Sequence, residues 1–317
     1  MDTTFDFLGL TGHAYGLCAA VAALVLMAGM RFFGGRKLPA GTASVFVLLG
    51  VTLGIAGARL VFCLGNISTF VEMYENPWLM LNFFDGGFSM PGLIAGLIAA
   101  AAITGRIQKV RMADVLDAAA VPAGLSIAAL RFGEQFTDLG VGKFVEEGFA
   151  TANLPWLFNV SRMGVAVEYR LNVWAYEAVA GVVIFAVLLL CARRLTESGD
   201  KALLFAALFG ASQIIFESMR DDGPMLLIFL RVGQLGAAAV LIASAVMLAK
   251  RAGRLCRIAM WIDIPACVLG IVLLEFSLDG RITFGHPTLL RDYLLMTILC
   301  INMAMYPCWL LLKRKKA

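Results

Sequence analysis

Charge is what this 317-residue chain most lacks: 15% of its residues are Asp, Glu, Lys or Arg, against 61% that are apolar. That excludes a water-soluble globule of this size, because its apolar residues would overfill any core it could hide. Histidine is scarce as well, with two copies, and the seven cysteines form no CxxC and stand at no ligand spacing from a histidine. Neither a disulfide framework, nor a metal site, nor a cofactor is therefore indicated. Strand-type alternation is missing, which excludes a membrane barrel. The leader MDTTFDFLGLTGH holds no lysine or arginine, so the apolar run after it lacks the basic flank of a cleaved signal peptide and is expected to stay as a helix. The net charge of +4 is scattered in small basic clusters between apolar runs, which argues against nucleic acid as a partner.

What the chain does have is long apolar runs, several of them close to the ~20 residues that cross a bilayer as helix. The expected fold is an all-α polytopic membrane protein with about nine transmembrane helices, near residues 15–30, 42–64, 90–105, 114–132, 172–192, 202–219, 225–249, 258–277 and 291–312. Lys and Arg in alternate connections number seventeen on one side and six on the other, the six being Lys143, Arg162, Arg170, Arg220, Arg281 and Arg291. The positive-inside rule then sets the N-terminus out and the C-terminus in. The longest connection, about 133–171, is an outward loop or cap.

Three arginines, Arg59, Arg131 and Arg231, fall inside these spans and near their outer ends. An intramembrane charge costs roughly 2.5 kcal/mol or more, so three at one level point to a site, and arginine matches a phosphate bidentately. In "AALRFGEQFTDLGVG", Glu134 follows Arg131 by three residues, on the same face if the helix continues. In "SQIIFESMR", Gln213, Glu217 and Arg220 share another face at the same outer end. The alternative for both pairs is a set of interhelical salt bridges that fasten the bundle.

Seven fragments in order, "HAYGL", "GARLVF", "DGGFSMPG", "DAAAVPAGLSIAALRFGEQFTDLGVG", "WAYEA", "FESMR" and "RVGQL", resemble the phosphatidylglycerol:prolipoprotein diacylglyceryl transferase family over about residues 10–250. The resemblance implies a seven-span domain over 1–257, with residues 258–317 adding two transmembrane helices. It implies a multi-pass protein of the bacterial cytoplasmic (inner) membrane, with phosphatidylglycerol, a prolipoprotein lipobox segment and membrane lipids as partners. The implied reaction is attack of the lipobox thiol on glycerol C3 of the lipid, expelling glycerol phosphate. Arg131 matches the family's signature arginine, Glu217 and Arg220 its second charged cluster, and Tyr15 a tyrosine suited to the headgroup. With Glu134, Arg131, Glu217 and Arg220 form the expected catalytic set. The expected substrate-binding set is Tyr15, Arg59, Gly86, Gly87, Ser89, Gly142, Tyr176, Glu177, Arg231 and Gln234.

The chain also departs from the family pattern. Pro91 stands where the family has a histidine, and Gln213 where it has a second arginine on span six; the signature's asparagines and glutamate become Glu134, Thr137 and Leu139. Glu134 is a candidate replacement for the lost base, as more weakly are His13 and His286. Two readings stay open: a diacylglyceryl transferase, with this or a related acceptor, and a non-catalytic phospholipid-binding or lipid-transport protein on the same fold. A solute transporter is disfavoured, since no internal repeat is evident and the charges gather at one face.

Overall fold

The structure, a computed structural model, describes residues 4–7, 10–35, 38–73, 76–83, 86–163, 166–222, 226–227, 230–282 and 289–313. His286 lies outside these. An antiparallel hairpin of β1 (Thr4–Phe7) and β2 (Leu10–His13) leads into α1 (Ala14–Gly34), followed by α2 (Thr42–Gly65), α3 (Met90–Ile107) and α4 (Met112–Gly133). A cap follows, made of β3 (Val141–Val145), α5 (Phe149–Asn153), β4 (Phe158–Met163) and β5 (Ala166–Asn172). Helices α6 (Val173–Cys191) and α7 (Asp200–Met219) come next, then the short strands β6 (Leu226–Leu227) and β7 (Leu230–Arg231). The chain ends with α8 (Val232–Ala249), α9 (Arg254–Leu278) and α10 (Leu289–Leu312).

Among the described residues, nine helices, all but α5, are long and apolar enough to cross a membrane. Eight begin and end within a few residues of the expected limits. Span seven is the correction: it starts at Val232 rather than near 225, because Leu226–Leu227 and Leu230–Arg231 pair as a tight antiparallel hairpin. Hydropathy cannot separate a short buried strand from a helix turn. Arg231 therefore caps α8 and does not lie inside it.

Small residues let the helices meet backbone to backbone, as expected where water does not drive association. A Cβ on Gly92 of α3 would stand 2.2 Å from the Gly57 carbonyl oxygen of α2, and one on Gly124 of α4 would stand 2.5 Å from that of Gly181 in α6. The buried apolar cluster that holds Leu204, Ile214 and Leu241 also takes in Met260, Met296 and Met303, so α9 and α10 share a core with α7 and α8. At the end away from the cap, Asp117 accepts the backbone N–H groups of Gly199 (2.8 Å) and Ala202 (2.9 Å), closing the start of α7 with a carboxylate.

The helices alternate in direction, so one end of the bundle collects the starts of α1, α3, α6, α8 and α10 and the ends of α2, α4, α7 and α9. The cap sits on that end. Its sheet runs in the order β3-β5-β4, all antiparallel, and an isolated bridge from Gly142 to Arg220 sews β3 to the end of α7. This end carries Arg131, Glu134, Glu177 and Arg220.

Candidate functional site

Three helix ends bring the charges together. Arg131 lies in the last turn of α4, Glu134 opens a short 3-10 turn after it, Glu177 lies in the second turn of α6, and Arg220 caps α7. Arg131 Nε forms an ion pair with Glu177 Oε2 at 2.8 Å, and its Nη1 donates to Glu134 Oε1. Arg220 Nη2 reaches Glu134 Oε2 at 2.9 Å and Glu177 Oε2 at 2.8 Å, while its Nη1 reaches Asp222 Oδ2 at 2.9 Å. Asp222 also accepts the Gly140 N–H at 2.8 Å. Glu134 and Glu177 are 3% and 1% exposed, so these ion pairs are almost fully desolvated.

Two guanidiniums thus face three carboxylates, and the arginines are already neutralised. The interhelical salt bridges that the sequence offered as the alternative are present at Arg131 and Arg220. Two polar atoms nevertheless remain open: the Arg220 Nε proton and Glu177 Oε1 are buried without a partner. A buried unmatched donor or acceptor costs about 1–3 kcal/mol, so a pair of them in an otherwise saturated network marks a place for a ligand.

Glu217, one turn before Arg220, differs from the other carboxylates. It makes no hydrogen bond or ion pair among the described residues, although Arg220 and Arg131 lie within electrostatic range. Its carboxylate rests on Gly233 of α8, where a Cβ would stand 2.3 Å from Oε2. Tyr15, in the first turn of α1, lies against Gly133, a Cβ there meeting its Cδ2 at 3.2 Å, and within electrostatic range of Glu134, Arg131 and Arg220. Gly142 is held by space: a Cβ would come within 2.8 Å of Leu171, Val173 and the Met219 carbonyl oxygen. Arg231 donates to the Arg220 carbonyl oxygen and so fixes the turn from which the Arg220 side chain hangs.

The remaining expected site residues lie elsewhere at this end. Arg59 donates to the backbone carbonyls of Leu79 (2.9 Å), Met80 (3.0 Å), Gly86 and Gly87 (3.3 Å), wrapping the segment after α2 around itself between the rings of Phe62 and Phe70. It is not joined to the Arg131–Arg220 network. A cavity of about 440 Å3 adjoins it, lined also by Asn66, Thr69, Gly86 and Gly87. Ser89 precedes α3, its N–H donating to the Ala58 carbonyl at 3.0 Å and its buried hydroxyl unpartnered. Tyr176 donates to the Leu157 carbonyl and tethers the cap. Gln234 donates to Glu275 Oε1 of α9 at 2.7 Å and to the Ile214 carbonyl at 3.2 Å.

Pro91, in the first turn of α3, packs on Gly236 of α8, where a Cβ would stand 2.5 Å from its Cγ, and supplies neither donor nor acceptor. Gln213 is buried one turn below Glu217, its Oε1 unpartnered. Sequence reasoning missed Asp222, Gly140 and Lys143. Asp222 was signalled by the acidic pair that directly follows Arg220. Gly140 has φ +72°, and a Cβ on it would stand 2.6 Å from Glu134 Oε2, so it makes room for the network.

The fold and this site define a polytopic membrane protein with a desolvated, charge-paired centre under a small β-cap. A family model described as "Prolipoprotein diacylglyceryl transferase" matches residues 3–250, and the chain belongs to that family. It is 29% identical over 240 residues to the phosphatidylglycerol–prolipoprotein diacylglyceryl transferase of Symbiobacterium thermophilum, covering 74% of this chain and 87% of the relative. It is 28% identical over 252 residues to the protein of the same name from Paenarthrobacter aurescens, covering 74% and 77%. A Lactococcus lactis protein of that name is 26% identical over 236 residues, covering 73% and 76%.

Proposed function

We propose that the chain transfers the diacylglyceryl group of phosphatidylglycerol to the thiol of a lipobox cysteine, at the outer leaflet of a bacterial cytoplasmic membrane. The observation that carries this reading is the pair of buried, unpartnered atoms, Arg220 Nε and Glu177 Oε1. They offer one donor and one acceptor within a network that is otherwise saturated. A glycerophosphate headgroup supplies the complement, a phosphate oxygen for the guanidinium and a hydroxyl for the carboxylate.

In the reaction the cysteine sulfur forms a bond to glycerol C3 of the lipid. The C3–O bond to phosphate breaks, and its electron pair leaves on glycerol phosphate. The open, desolvated Nε–H of Arg220 donates to that oxygen and stabilises the charge that develops there, more strongly than the same bond would in water. The thiol proton needs an acceptor, since a free thiol of pKa about 8.5 is mostly protonated at neutral pH. Glu134 is bound by both arginines, one on each carboxylate oxygen. Glu217 has no such partner, and it takes the role of base in this account. Tyr15 and Gly142 bound the site, and Arg231 holds the backbone of Arg220.

A second reading, a phospholipid-binding protein without chemistry, is favoured by Pro91, whose side chain has no donor or acceptor, and by Gln213, whose amide has neither the positive charge of an arginine nor the basicity of a histidine. The two readings separate in a release assay with phosphatidylglycerol vesicles and a lipobox peptide. Glu217→Gln is expected to lower release about 10²- to 10⁴-fold while keeping lipid binding, since a near-isosteric amide removes only proton acceptance. Loss in Glu134→Gln with full release in Glu217→Gln would move the role of base to Glu134.

A further inference from the structure

A second polar cluster lies beside the first, where the cap meets the helices that extend beyond the family match. Lys143 of β3 has its Nζ buried and without a hydrogen-bond partner. The nearest carboxylate is Asp279, just past α9, at 4.0 Å, beyond hydrogen-bond range. Asp279 in turn has Arg281 at 4.0 Å and no closer side-chain partner among the described residues. Glu275, one turn earlier on α9, is buried and holds Gln234; Arg231 and Asp221 complete the charges that Lys143 senses, and Asp221 is taken by Arg170 at 2.7 Å. An ammonium on β3 of the cap and a carboxylate just past α9 therefore stand 4.0 Å apart, with no hydrogen bond between them.

That spacing leaves the buried ammonium short of a partner, while the Asp279 carboxylate, 35% exposed, faces outward beside it. A buried ammonium with nothing to donate to is costly, and burial holds Lys143 below the ordinary lysine range despite Glu275 and Asp279. A ligand that carries an anion for Lys143 and a hydrogen-bonding cation for Asp279 satisfies both. One turn inward of Glu275, from Val272, α8 and α9 leave an apolar groove of about 430 Å3 that reaches Met260 and is lined on the α8 side by Ile242 and Ala245. From Glu275 to Met260 the helix rises ~22 Å, more than half the ~30 Å apolar layer of a bilayer. The α9 end of the groove, at Val272, lies ~10 Å along the helix from Asp279.

We propose that the seam of β3, α8 and α9 binds an aminophospholipid, with phosphate on Lys143, ammonium on Asp279 and an acyl chain in the α8–α9 groove. The zwitterionic headgroup is the chemical class that the paired charges select. Phosphatidylglycerol carries no ammonium and gains nothing from Asp279. The site uses residues apart from the Arg131–Arg220 network, so it stands or falls independently of the transferase reading.

The test uses the full chain in detergent micelles, titrated with dihexanoyl-phosphatidylethanolamine and, separately, dihexanoyl-phosphatidylglycerol. Lys143→Met and Asp279→Asn are each expected to weaken phosphatidylethanolamine binding by at least about tenfold. Asp279→Asn, at a partly exposed position that folding tolerates, leaves phosphatidylglycerol binding unchanged. Equal affinity of the unmutated chain for the two lipids would overturn the proposal, as would phosphatidylethanolamine binding that neither variant alters. Displacement of the lipid by millimolar glycine would assign the pocket to a free amino acid instead.

Discussion

The guanidinium of Arg220 lies between two buried carboxylates, its Nη2 2.9 Å from Glu134 and 2.8 Å from Glu177. One side chain thus ties the end of α7 to the end of α4 and the start of α6. Arg131 repeats the bridge from the other side, so neither acid depends on a single partner. Every charge in it is held at least twice, with Arg220 Nε and Glu177 Oε1 left unpartnered.

Removing Arg220 leaves three desolvated carboxylates with one guanidinium. Arg220→Met should destabilise the fold by about 3–5 kcal/mol, whereas Arg170→Ala, which breaks a half-exposed pair with Asp221, should cost under about 1. Chemical denaturation in micelles measures both. Adding Glu177→Gln to Arg220→Met should cost less than the two single changes summed, because it removes one of the stranded charges.

Gly142→Ala drives a methyl into Leu171, Val173 and the Met219 carbonyl, and so pushes β3 off the Arg220 backbone. Overpacking of this kind costs about 1–3 kcal/mol. Helix content by circular dichroism should survive, while release of glycerol phosphate should fall steeply. A fully active Gly142→Ala enzyme would show that the bridge to the cap does not position Arg220.

Lys143 gives a pH signature. Burial is the largest influence on its ammonium and holds it below the ordinary value of 10.5, while Glu275 and Asp279 pull it back and Arg231 adds to the lowering. The unfolded chain therefore binds more protons between the folded pKa and 10.5, and stability rises with pH across that window. The melting temperature of the unmutated chain should climb relative to Lys143→Met as the pH is raised from neutrality towards 10. Parallel curves would mean that Lys143 is well solvated.

The topology is read from charge and is tested by charge-independent labels. Single cysteines at Asn153 and Gly280 should react with an impermeant maleimide on intact cells, and those at Gly35 and Gly253 only after permeabilisation. External labelling at Gly253 would invert the bundle and move the charged centre to the cytoplasmic face.

Most of the bundle was legible because apolar runs of membrane length have few other fates, and eight of nine helices fell where hydropathy set them. Val232 was the exception, since a two-residue strand pair carries no periodicity to read. The grouping of Arg131, Glu134 and Arg220 was legible from helix direction and family fragments. The Arg131–Glu134 pair was legible too, from their spacing of three, but the links to Glu177, Asp222 and Gly140 were not, because these approach from other elements and only packing reveals the distance. Arg59 illustrates the same limit: its sequence position suggested a headgroup contact, but its donors are spent on backbone carbonyls, which have no sequence signature. Lys143 counted only as loop charge until α9 brought Asp279 against it.

The central claim is that this charge-paired centre performs transfer and does not merely hold a lipid. The direct measurement is glycerol phosphate released by the purified full chain from phosphatidylglycerol vesicles with a lipobox peptide, alongside the same peptide with serine in place of cysteine. The account predicts release that requires the thiol, is matched mole for mole by diacylglyceryl-modified peptide, and is lost in Glu217→Gln. Saturable phosphatidylglycerol binding with no release from either peptide would contradict it.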